Sequence, residues 1–535
     1  MPLVPMAAPR TQEGGDLARS TATMTVFTLL SRVTGVVRNV VVVAVLGVTF
    51  LGNTYQSANT VPNLLFELIA AGVLQAVLIP TLVDLYAEGA DDEAEHVARS
   101  VLGLAGGALA VLAGVGFLAA PFVMRLLVSG VNDAHLRDQQ IHLGTILLWF
   151  FLPQVVLYAS NMVATGVLNA RGHFAVPVIA PLLNNIVVTS SYLVFAWMRH
   201  GAAPSLDLSG GQTAVLGLGT TLGVIAFCAL PVYAAVRAGV SMRPRFDWRH
   251  PGVRRIARLG GWAAVFLAAT NALLLVVLVL ANNVDGGVVA WNLGFTIFLL
   301  PHSLIGLPVL TALFPTMARH AGRDDDAYHR TVASGVRAIT YLVLPAAAAM
   351  LALSDGMARV LQFGNYHRHG VAIVAAAVAA FGPGLLGYST YLFVARAHYA
   401  RGDTRTPGLV NIGVVAGAAV AMVVSFALVD GDARIAVLAA SHSAAFVVGA
   451  VVLFKLTGTS ATDLGRSIAA SLAAAAVAGG VMWAVGRPLA GPGRIHSLVE
   501  LVVAGAVGLV VYTGVAAVLG GPRPRHVPAL LRGHG

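Results

Sequence analysis

Long apolar segments recur along almost the whole chain, and each is about as long as a helix that crosses a lipid bilayer. Such a helix needs about 20 mostly apolar residues, and in hydrocarbon only helices and closed barrels satisfy their own backbone groups. We therefore predict an all-α polytopic membrane protein with about 14 transmembrane helices. They lie near residues 24–48, 56–86, 100–127, 141–166, 174–198, 212–236, 260–282, 287–316, 332–354, 370–395, 408–429, 433–456, 466–486 and 498–520.

Polar side chains interrupt the second of these segments at intervals of three, four or eight residues. This spacing places them on one face of a helix. A face that includes a carboxylate is costly in hydrocarbon unless it lines water or pairs internally. The first predicted helix carries two arginines, Arg32 and Arg38, and we interpret these and the polar face as the wall of a polar cavity. The polar face consists of Gln56, Asn59, Asn63, Glu67 and Gln75.

The composition supports a membrane protein and excludes several other classes. Of the 535 residues, 57% are hydrophobic and only 10% are charged, whereas about 25% are charged in ordinary soluble domains. A net charge of +10 would suggest a nucleic-acid partner in a soluble protein. In a membrane protein it sets the topology instead, so we expect no nucleic acid. A lone cysteine, Cys228, excludes disulfides within the chain and thiolate metal sites.

The sequence contains no constellation typical of an enzyme, and none that implies a cofactor or a metal. It has no glycine-rich phosphate loop of the Walker type, so ATP does not drive the protein directly. We expect the energy to come from a coupling ion or from the membrane potential, which supplies about 2.3 kcal/mol per charge per 100 mV.

Arginines concentrate in alternate connections between the predicted helices, which places both termini in the cytoplasm by the positive-inside rule. We assign residues 1–20 and 521–535 to cytoplasmic tails and expect the first to be disordered. The densest arginine cluster occupies a linker, 241–259. From Pro251 onward this linker has the pattern of a short amphipathic helix on anionic lipid, but a plain topology-setting linker explains the charges equally well.

A short motif occurs twice in the chain. Ala170-Arg171-Gly172 is followed by Pro177, and about 230 residues later Ala400-Arg401-Gly402 is followed by Pro407. Six predicted helices separate the two copies. An even number preserves direction, so the two halves are parallel repeats.

The repeat defines the domain organisation that we expect. We assign residues 21–240 to an N-terminal lobe and 260–460 to a C-terminal lobe, and residues 461–520 to two extra helices. Two parallel lobes around a polar cavity are typical of alternating-access transporters.

Several longer motifs match one family of membrane proteins. They are Ser31-Arg32-Val33-x-Gly35-x-x-Arg38, Pro62-Asn63-Leu64-Leu65, Leu168-Asn169-Ala170-Arg171-Gly172-x-Phe174, Gln362-Phe363-Gly364 and Tyr399-Ala400-Arg401-Gly402-Asp403-Thr404-Arg405-Thr406-Pro407. With these motifs the chain resembles the MurJ/MviN family of lipid II flippases, most closely the actinobacterial members. The resemblance runs through residues 24–460, and 14 membrane spans are that family's number.

The resemblance implies the fold of the multidrug/oligosaccharidyl-lipid/polysaccharide exporter superfamily. Members of the family carry the undecaprenyl-pyrophosphate-linked peptidoglycan precursor from the inner to the outer leaflet of the cell membrane. The implied partners are this lipid-linked glycan, membrane lipids and cell-wall synthesis proteins. Arg32 and Arg38 match the family's first-helix arginines and are expected to bind the diphosphate, because guanidiniums offer permanent bidentate charge.

We expect the substrate-binding residues to be Arg32, Arg38, Asn59, Asn63 and Glu67. Each has an alternative role. The arginines would snorkel to the membrane surface or orient their helix, and the asparagines would hydrogen-bond neighbouring helices. Glu67 would be a counter-ion of the arginines, or a proton or cation site.

The sequence departs from the family's pattern in the expected cavity. Asn39 and Asn53 stand where many relatives carry an acid, and Phe66-Glu67 stands where many have two arginines. These differences favour two alternatives, which are a flippase for another polyprenyl-linked glycan and a non-transporting paralogue that acts as a scaffold for envelope synthesis. A small-cation drug antiporter of the same superfamily would have a cavity richer in acids.

Overall fold

The computed structural model describes residues 14–68, 78–460, 462–491 and 493–521, and every regular element in these ranges is helical. A π-helical turn, His302–Gly306, joins the helix Gly287–Pro301 to the helix Leu307–His320. The helices are α1 (Gly14–Leu46), α2 (Phe50–Phe66), α3 (Ile79–Ala87), α4 (Asp91–Leu127), α5 (Ala134–Phe151), α6 (Gln154–Ala170), α7 (Ala175–Arg199), α8 (Gly210–Arg237), α9 (Pro251–Ala281), α10 (Gly287–Pro301), α11 (Leu307–His320), α12 (Asp325–Ala352), α13 (Ser354–Val360), α14 (Arg368–Phe381), α15 (Gly384–Ala400), α16 (Arg405–Leu428), α17 (Ala433–Leu456), α18 (Thr462–Leu489) and α19 (Arg494–Val518).

The predicted all-α membrane protein is confirmed. Among the described residues, ten helices, some of them joined in line, are long and apolar enough to cross a membrane. An eleventh is obtained if α14 and α15, which meet at 49°, form one span. The count of 14 stays a prediction.

Helix α1 begins at Gly14, within the stretch assigned to the first tail, and residues 1–13 and 522–535 lie outside the described part of the chain.

A tight turn joins the first two helices. After α1 ends at Leu46, Gly47 has a φ of 73°, which residues with a side chain rarely adopt. Thr49 then caps α2, because its side-chain oxygen accepts a hydrogen bond from Gly52 N. The two helices therefore form a hairpin, and residues 44–53 are called the hairpin tip below.

The repeated sequence motif adopts the same turn at both of its occurrences. Arg171 ends α6 and Arg401 ends α15 with nearly identical backbone angles, and the glycines that follow them have φ of 78° and 77°. The guanidinium of Arg171 lies 4.7 Å from the ring centre of Tyr86, and that of Arg401 lies 4.0 Å from that of Tyr328. The motif thus marks a turn stabilised by an arginine that stacks on a tyrosine.

Helices α7 and α8 pack closely along a stripe of small residues. A methyl group added at Gly219 of α8 would overlap Ser191 of α7, and one added at Gly223 would overlap Val188. Small residues at this spacing let the backbones of two membrane helices approach each other. Because α7 also packs on α1, this close contact fixes the position of α8 relative to the hairpin of α1 and α2.

The helices of the second half pack mainly around α17. Helices α14, α15 and α16 all contact α17, and α9 contacts α16. Helices α18 and α19 pack on each other and join the bundle through α12 and α13. The largest hydrophobic cluster contains residues from α1 and α2 as well as from α9 to α17, so both halves of the chain share one core.

Replacing Gly219 with Ala is expected to lower the thermal stability of the detergent-solubilised protein, because the methyl group overlaps Ser191. Overpacking of this kind costs about 1–3 kcal/mol. Gly413→Ala is the matched control, because in the described part of the chain no atom outside its own helix lies within 4 Å of the added group. Equal unfolding midpoints for the two variants would contradict the close packing of α7 and α8.

Candidate functional site

A cavity of about 410 Å³ lies between α1, α2, α6, α7, α8 and α10. Among the described side chains that line it, Arg38 is the one with a permanent charge, and carboxamides and hydroxyls make up most of the rest. The lining residues are Arg38, Asn39, Val42, Val43, Tyr55, Gln56, Asn59, Thr60, Asn63, Tyr158, Asn184, Val188, Tyr192, Thr220, Val224, Asn292, Leu293 and Thr296.

The packing of α1 on α7 turns Arg38 toward the cavity. Asn185 of α7 donates hydrogen bonds of 3.2 Å to Ser31 O and to Thr34 Oγ1. Arg38 follows Thr34 by four residues and therefore lies on the same face of α1. Arg32 lies about 100° around the helix from Ser31. Its side chain is exposed and is not part of the cavity wall.

A buried hydroxyl network joins three of the helices that form the wall. The Tyr55 hydroxyl of α2 shares hydrogen bonds with Tyr192 of α7 (2.8 Å) and with Thr220 of α8 (2.6 Å). Thr220 also lies 2.8 Å from the carbonyl of Leu216, which its hydroxyl can donate to. Buried polar groups without partners are costly in a membrane interior, so this network fixes the relative positions of the three helices.

Carboxamide side chains provide much of the wall. Asn292 of α10 donates a hydrogen bond to Gln56 of α2 and so connects the two halves of the chain. Asn63 donates to the carbonyl of Asn59 at 2.9 Å. The side-chain oxygen of Asn184 is buried and has no hydrogen-bond partner among the residues that the structure describes. An unpaired acceptor in a cavity wall can accept from a ligand donor such as a sugar hydroxyl.

Three of the five residues predicted to bind substrate lie in the cavity wall, namely Arg38, Asn59 and Asn63. Arg32 and Glu67 are not among the lining residues. Glu67 is partly buried and lies near the carboxamide of Asn271 on α9. Gln75, the last member of the predicted polar face, lies outside the described residues.

Sequence reasoning did not identify the tyrosines and threonines of the wall. Tyr192 is 137 residues from Tyr55 along the chain, so no periodicity within one helix relates them. A signal was available for Asn184 and Asn292, because a carboxamide inside a membrane helix lines a cavity or bonds another helix.

Hydrogen bonds between the hairpin tip and the start of α10 seal one end of the cavity. Asn53 Nδ2 donates to Val284 O (2.8 Å), and Asn53 Oδ1 accepts from Val288 N (2.9 Å). The carboxylate of Asp285 accepts a hydrogen bond of 2.7 Å from Phe50 N, the first residue of α2. The start of each helix is thus capped by a side chain from the other half of the chain.

The loop before α14 completes this seal. Asn365 donates to Ala44 O from its backbone nitrogen (2.8 Å) and to Val45 O from its side chain (2.9 Å). A side chain at Gly364, whose φ is 53°, would overlap the backbone of Ala44. Each hydrogen bond of this kind contributes only about 0.5–1.5 kcal/mol to the stability of the closed seal. Hydrogen bonds to water can therefore replace them when the seal opens.

Asp285 is the titratable group within the seal. Burial raises the pKa of its carboxyl, although the hydrogen bond from Phe50 N and the nearby His369 act in the opposite direction. Asp432, 3.3 Å from His369, raises this pKa as well. A raised pKa means that the closed seal is stabilised at low pH. This stabilisation is lost as the pH rises through the raised value.

Comparison with known proteins identifies relatives over most of the chain. The profile of the family described as "Lipid II flippase MurJ" matches residues 42–504. The lipid II flippase MurJ of Burkholderia cenocepacia is 28% identical over 406 residues, which are 75% of this chain and 76% of that protein. The probable lipid II flippase MurJ of Haemophilus influenzae is 29% identical over 73% of this chain and 76% of that protein.

Solved structures show the same fold. A structure described as "Lipid II flippase MurJ, inward closed conformation" has a TM-score of 0.73 and 16% identity, covering 92% of this chain and 98% of that one. An inward-facing multidrug resistance transporter of the MATE family has a TM-score of 0.64 and 12% identity, covering 81% and 94% of the two chains.

We expect the seal to loosen as the pH rises through the raised pKa of Asp285. A single cysteine, Thr60→Cys in a Cys228→Ser background, places a thiol in the cavity wall. Its labelling by a membrane-impermeant reagent added on the sealed side reports opening. The variant Asp285→Asn keeps an amide oxygen that accepts from Phe50 N but loses the titratable carboxyl. Its labelling rate should therefore depend on pH only through the ionisation of the thiol itself. Identical profiles for both proteins would show that Asp285 does not control the seal.

Proposed function

This chain belongs to the lipid II flippase MurJ family, and from that premise we propose that it is a flippase for the lipid-linked peptidoglycan precursor. It works by alternating access. The head group enters the cavity from the inner leaflet, the seal opens, and the head group leaves toward the outer leaflet. The chain moves its substrate across the membrane and does not transform it chemically.

The observation that carries this proposal is that Arg38 supplies the single guanidinium among the described lining residues of a cavity whose other walls are mostly neutral and polar. A guanidinium binds a phosphate through two parallel hydrogen bonds. Carboxamides and hydroxyls offer both donors and acceptors, as the sugars of a glycan require. Arg38 therefore binds the diphosphate, and Asn59, Asn63 and Asn184 bind the glycan.

Arg32 and Glu67 act earlier on the substrate's path. Arg32 lies 12 residues before the hairpin tip begins at Ala44, and Glu67 lies 14 residues after the tip ends at Asn53. By the rise of an α-helix this is about 20 Å from the seal, at similar depth on α1 and α2. Arg32 attracts the anionic head group at the open side, and Glu67 balances its charge before the substrate arrives.

Fourteen spans in two parallel lobes, 21–240 and 260–460, give this mechanism its geometry, and α18 and α19 flank the second lobe. Both termini lie in the cytoplasm. The arginine-rich linker between α8 and α9 supports this orientation through the positive-inside rule. The seal then lies at the outer face of the cell membrane, and a coupling ion or the membrane potential drives its opening.

A second candidate is a flippase for another polyprenyl-linked glycan. The observation in its favour is that no second cation accompanies Arg38 among the described lining residues. One guanidinium suffices for a glycan carried on a single phosphate, whereas a diphosphate brings more negative charge into the cavity.

Arg38→Ala is expected to abolish growth of a strain that depends on this chain as its only lipid II flippase. Arg38→Lys keeps the charge but loses the bidentate geometry, so we expect reduced activity. Arg319→Ala is the matched control, since it removes an exposed arginine outside the cavity wall and should leave growth unchanged. Immunoblots of membrane fractions establish insertion of each variant, and normal growth with inserted Arg38→Ala would refute the proposed function.

Binding to the purified protein distinguishes the two candidates. We expect lipid II to bind more tightly than a glycan carried on a polyprenyl monophosphate. Arg38→Ala should weaken lipid II binding by about 10- to 100-fold, because a charged hydrogen-bonded pair contributes about 1.5–3 kcal/mol. Tighter binding of the monophosphate-linked glycan would select the second candidate.

A further inference from the structure

The loop that joins α8 to α9 lies along the side of α4. This linker loop, Arg243–His250, begins beside Arg99. Arg245 N donates a hydrogen bond to Arg99 O (2.9 Å), and Arg99 Nε donates to Arg243 O (3.0 Å). The first part of the loop is therefore fixed to α4 through its own backbone.

Two glycines of α4 make room for the loop. A side chain at Gly103 would overlap the carbonyl of Arg245, so only glycine permits this approach. One turn further along α4, the ring of Phe246 lies 3.0 Å from the position of a Cβ at Gly107. The loop thus runs along α4 from Arg99 toward Gly107, a distance of about 12 Å by the helix rise.

Beyond Phe246 the loop returns to the start of α4. The carboxylate of Asp247 is hydrogen-bonded to the ring of His96 (2.9 Å), which lowers the pKa of Asp247. The imidazole of His250 lies 3.9 Å from the carboxylate of Glu93. Phe246 is therefore the apex of a loop that is attached to α4 on both sides.

The apex continues the lipid-facing side of α4. Phe246 is 69% exposed, and beyond it α4 presents the exposed apolar side chains of Val111, Val115 and Leu118. These residues follow Gly107 by four, eight and eleven positions and so share its face of the helix. In a membrane protein such a row faces acyl chains, which places the apex at the edge of the hydrocarbon.

An exposed tryptophan and four arginines lie next to the apex. Trp248 is 59% exposed, and the guanidiniums of Arg249 and Arg254 lie 5.1 and 5.7 Å from its ring centre. Arg243 and Arg245 are exposed on the other side of Phe246. Tryptophan is enriched at the level of lipid head groups, where arginines attract anionic lipids.

Carboxylates are also present near the loop. Asp247 follows the apex directly, but its carboxylate is hydrogen-bonded to His96 and accepts from the backbone nitrogens of Arg249 and His250. The other carboxylates lie farther from the apex. Asp91–Glu93 form the first turn of α4, and Glu95 pairs with Arg99 at 3.6 Å. Glu93 is ten residues before Gly103, about 15 Å along the helix, which exceeds the Debye length of about 8 Å in physiological salt. Positive charge therefore dominates the part of the loop nearest the hydrocarbon.

We infer that the linker loop is a binding site for anionic phospholipids. Phe246 inserts among the acyl chains, Trp248 lies at the head-group level, and the four arginines bind head-group phosphates. Because the loop joins the two halves of the chain, bound lipid holds this connection at the membrane surface. The site is separate from the cavity and does not depend on the substrate proposed above.

Fluorescence quenching in lipid nanodiscs tests this site. The wild-type chain and Trp248→Phe are reconstituted with brominated phosphatidylglycerol or brominated phosphatidylcholine, and the difference between the two proteins isolates the Trp248 signal. We expect phosphatidylglycerol to quench Trp248 at lower lipid fractions, with a preference of about fivefold for each arginine engaged. Added salt should reduce this preference.

Charge variants identify the arginines as the cause. Arg243→Gln combined with Arg249→Gln is expected to remove most of the preference for phosphatidylglycerol. The control, Arg319→Gln combined with Arg323→Gln, removes two exposed arginines elsewhere and should preserve it.

Displacement of the loop provides a second test. Gly103→Val pushes the loop off α4 and should abolish the preference. At Gly114 on the same helix no described atom lies within 4 Å of an added Cβ, so Gly114→Val should retain the preference. Thermal unfolding identifies any variant that fails to fold. If Gly103→Val does not fold, the charge variants alone test the inference.

Equal quenching by the two lipids would overturn the inference, as would a preference that the charge variants leave unchanged. Absence of Trp248 quenching would overturn it as well, because the loop would then lie away from the bilayer.

Discussion

A charged or polar group inside a membrane needs a partner or water, and this requirement shapes the centre of the molecule. Arg38 would be costly in hydrocarbon, and the fold surrounds it with carboxamides and hydroxyls. No carboxylate occurs among the described lining residues, so its charge is solvated but not cancelled. At the lower dielectric of such a cavity, a positive charge attracts an anion more strongly than in water.

Apart from the carboxylate of Asp285, the seal meets the same requirement with neutral groups. Asn53 uses both its donor and its acceptor to join backbone atoms of the other half, whereas a carboxylate at this position would only accept. Neutral hydrogen bonds of this kind hold the two halves together without a buried ion pair, whose separation would be strongly unfavourable. They are therefore suited to a contact that must open and close.

The second half of the chain also contains places where its helices can bend. Helix α10 reaches α11 through a π-helical turn, and α14 meets α15 at 49° beside Pro383. A proline removes one backbone hydrogen bond, and a π turn interrupts the regular ladder. Motion of the two halves can be taken up at these points while the glycine-lined contact of α7 with α8 stays rigid.

The sequence by itself determined the helical membrane fold, the repeated arginine turn and the placement of charge in the first helix. Hydropathy and helical spacing reveal these features because a membrane requires long apolar helices and makes each exception informative. The sequence also identified three residues of the cavity wall, namely Arg38, Asn59 and Asn63. Only the tertiary structure decided that Arg38 lines the cavity and Arg32 does not. The difference arises because Asn185 of α7 binds one particular face of α1. A contact between two helices that are far apart in the sequence cannot be read from the periodicity of either helix.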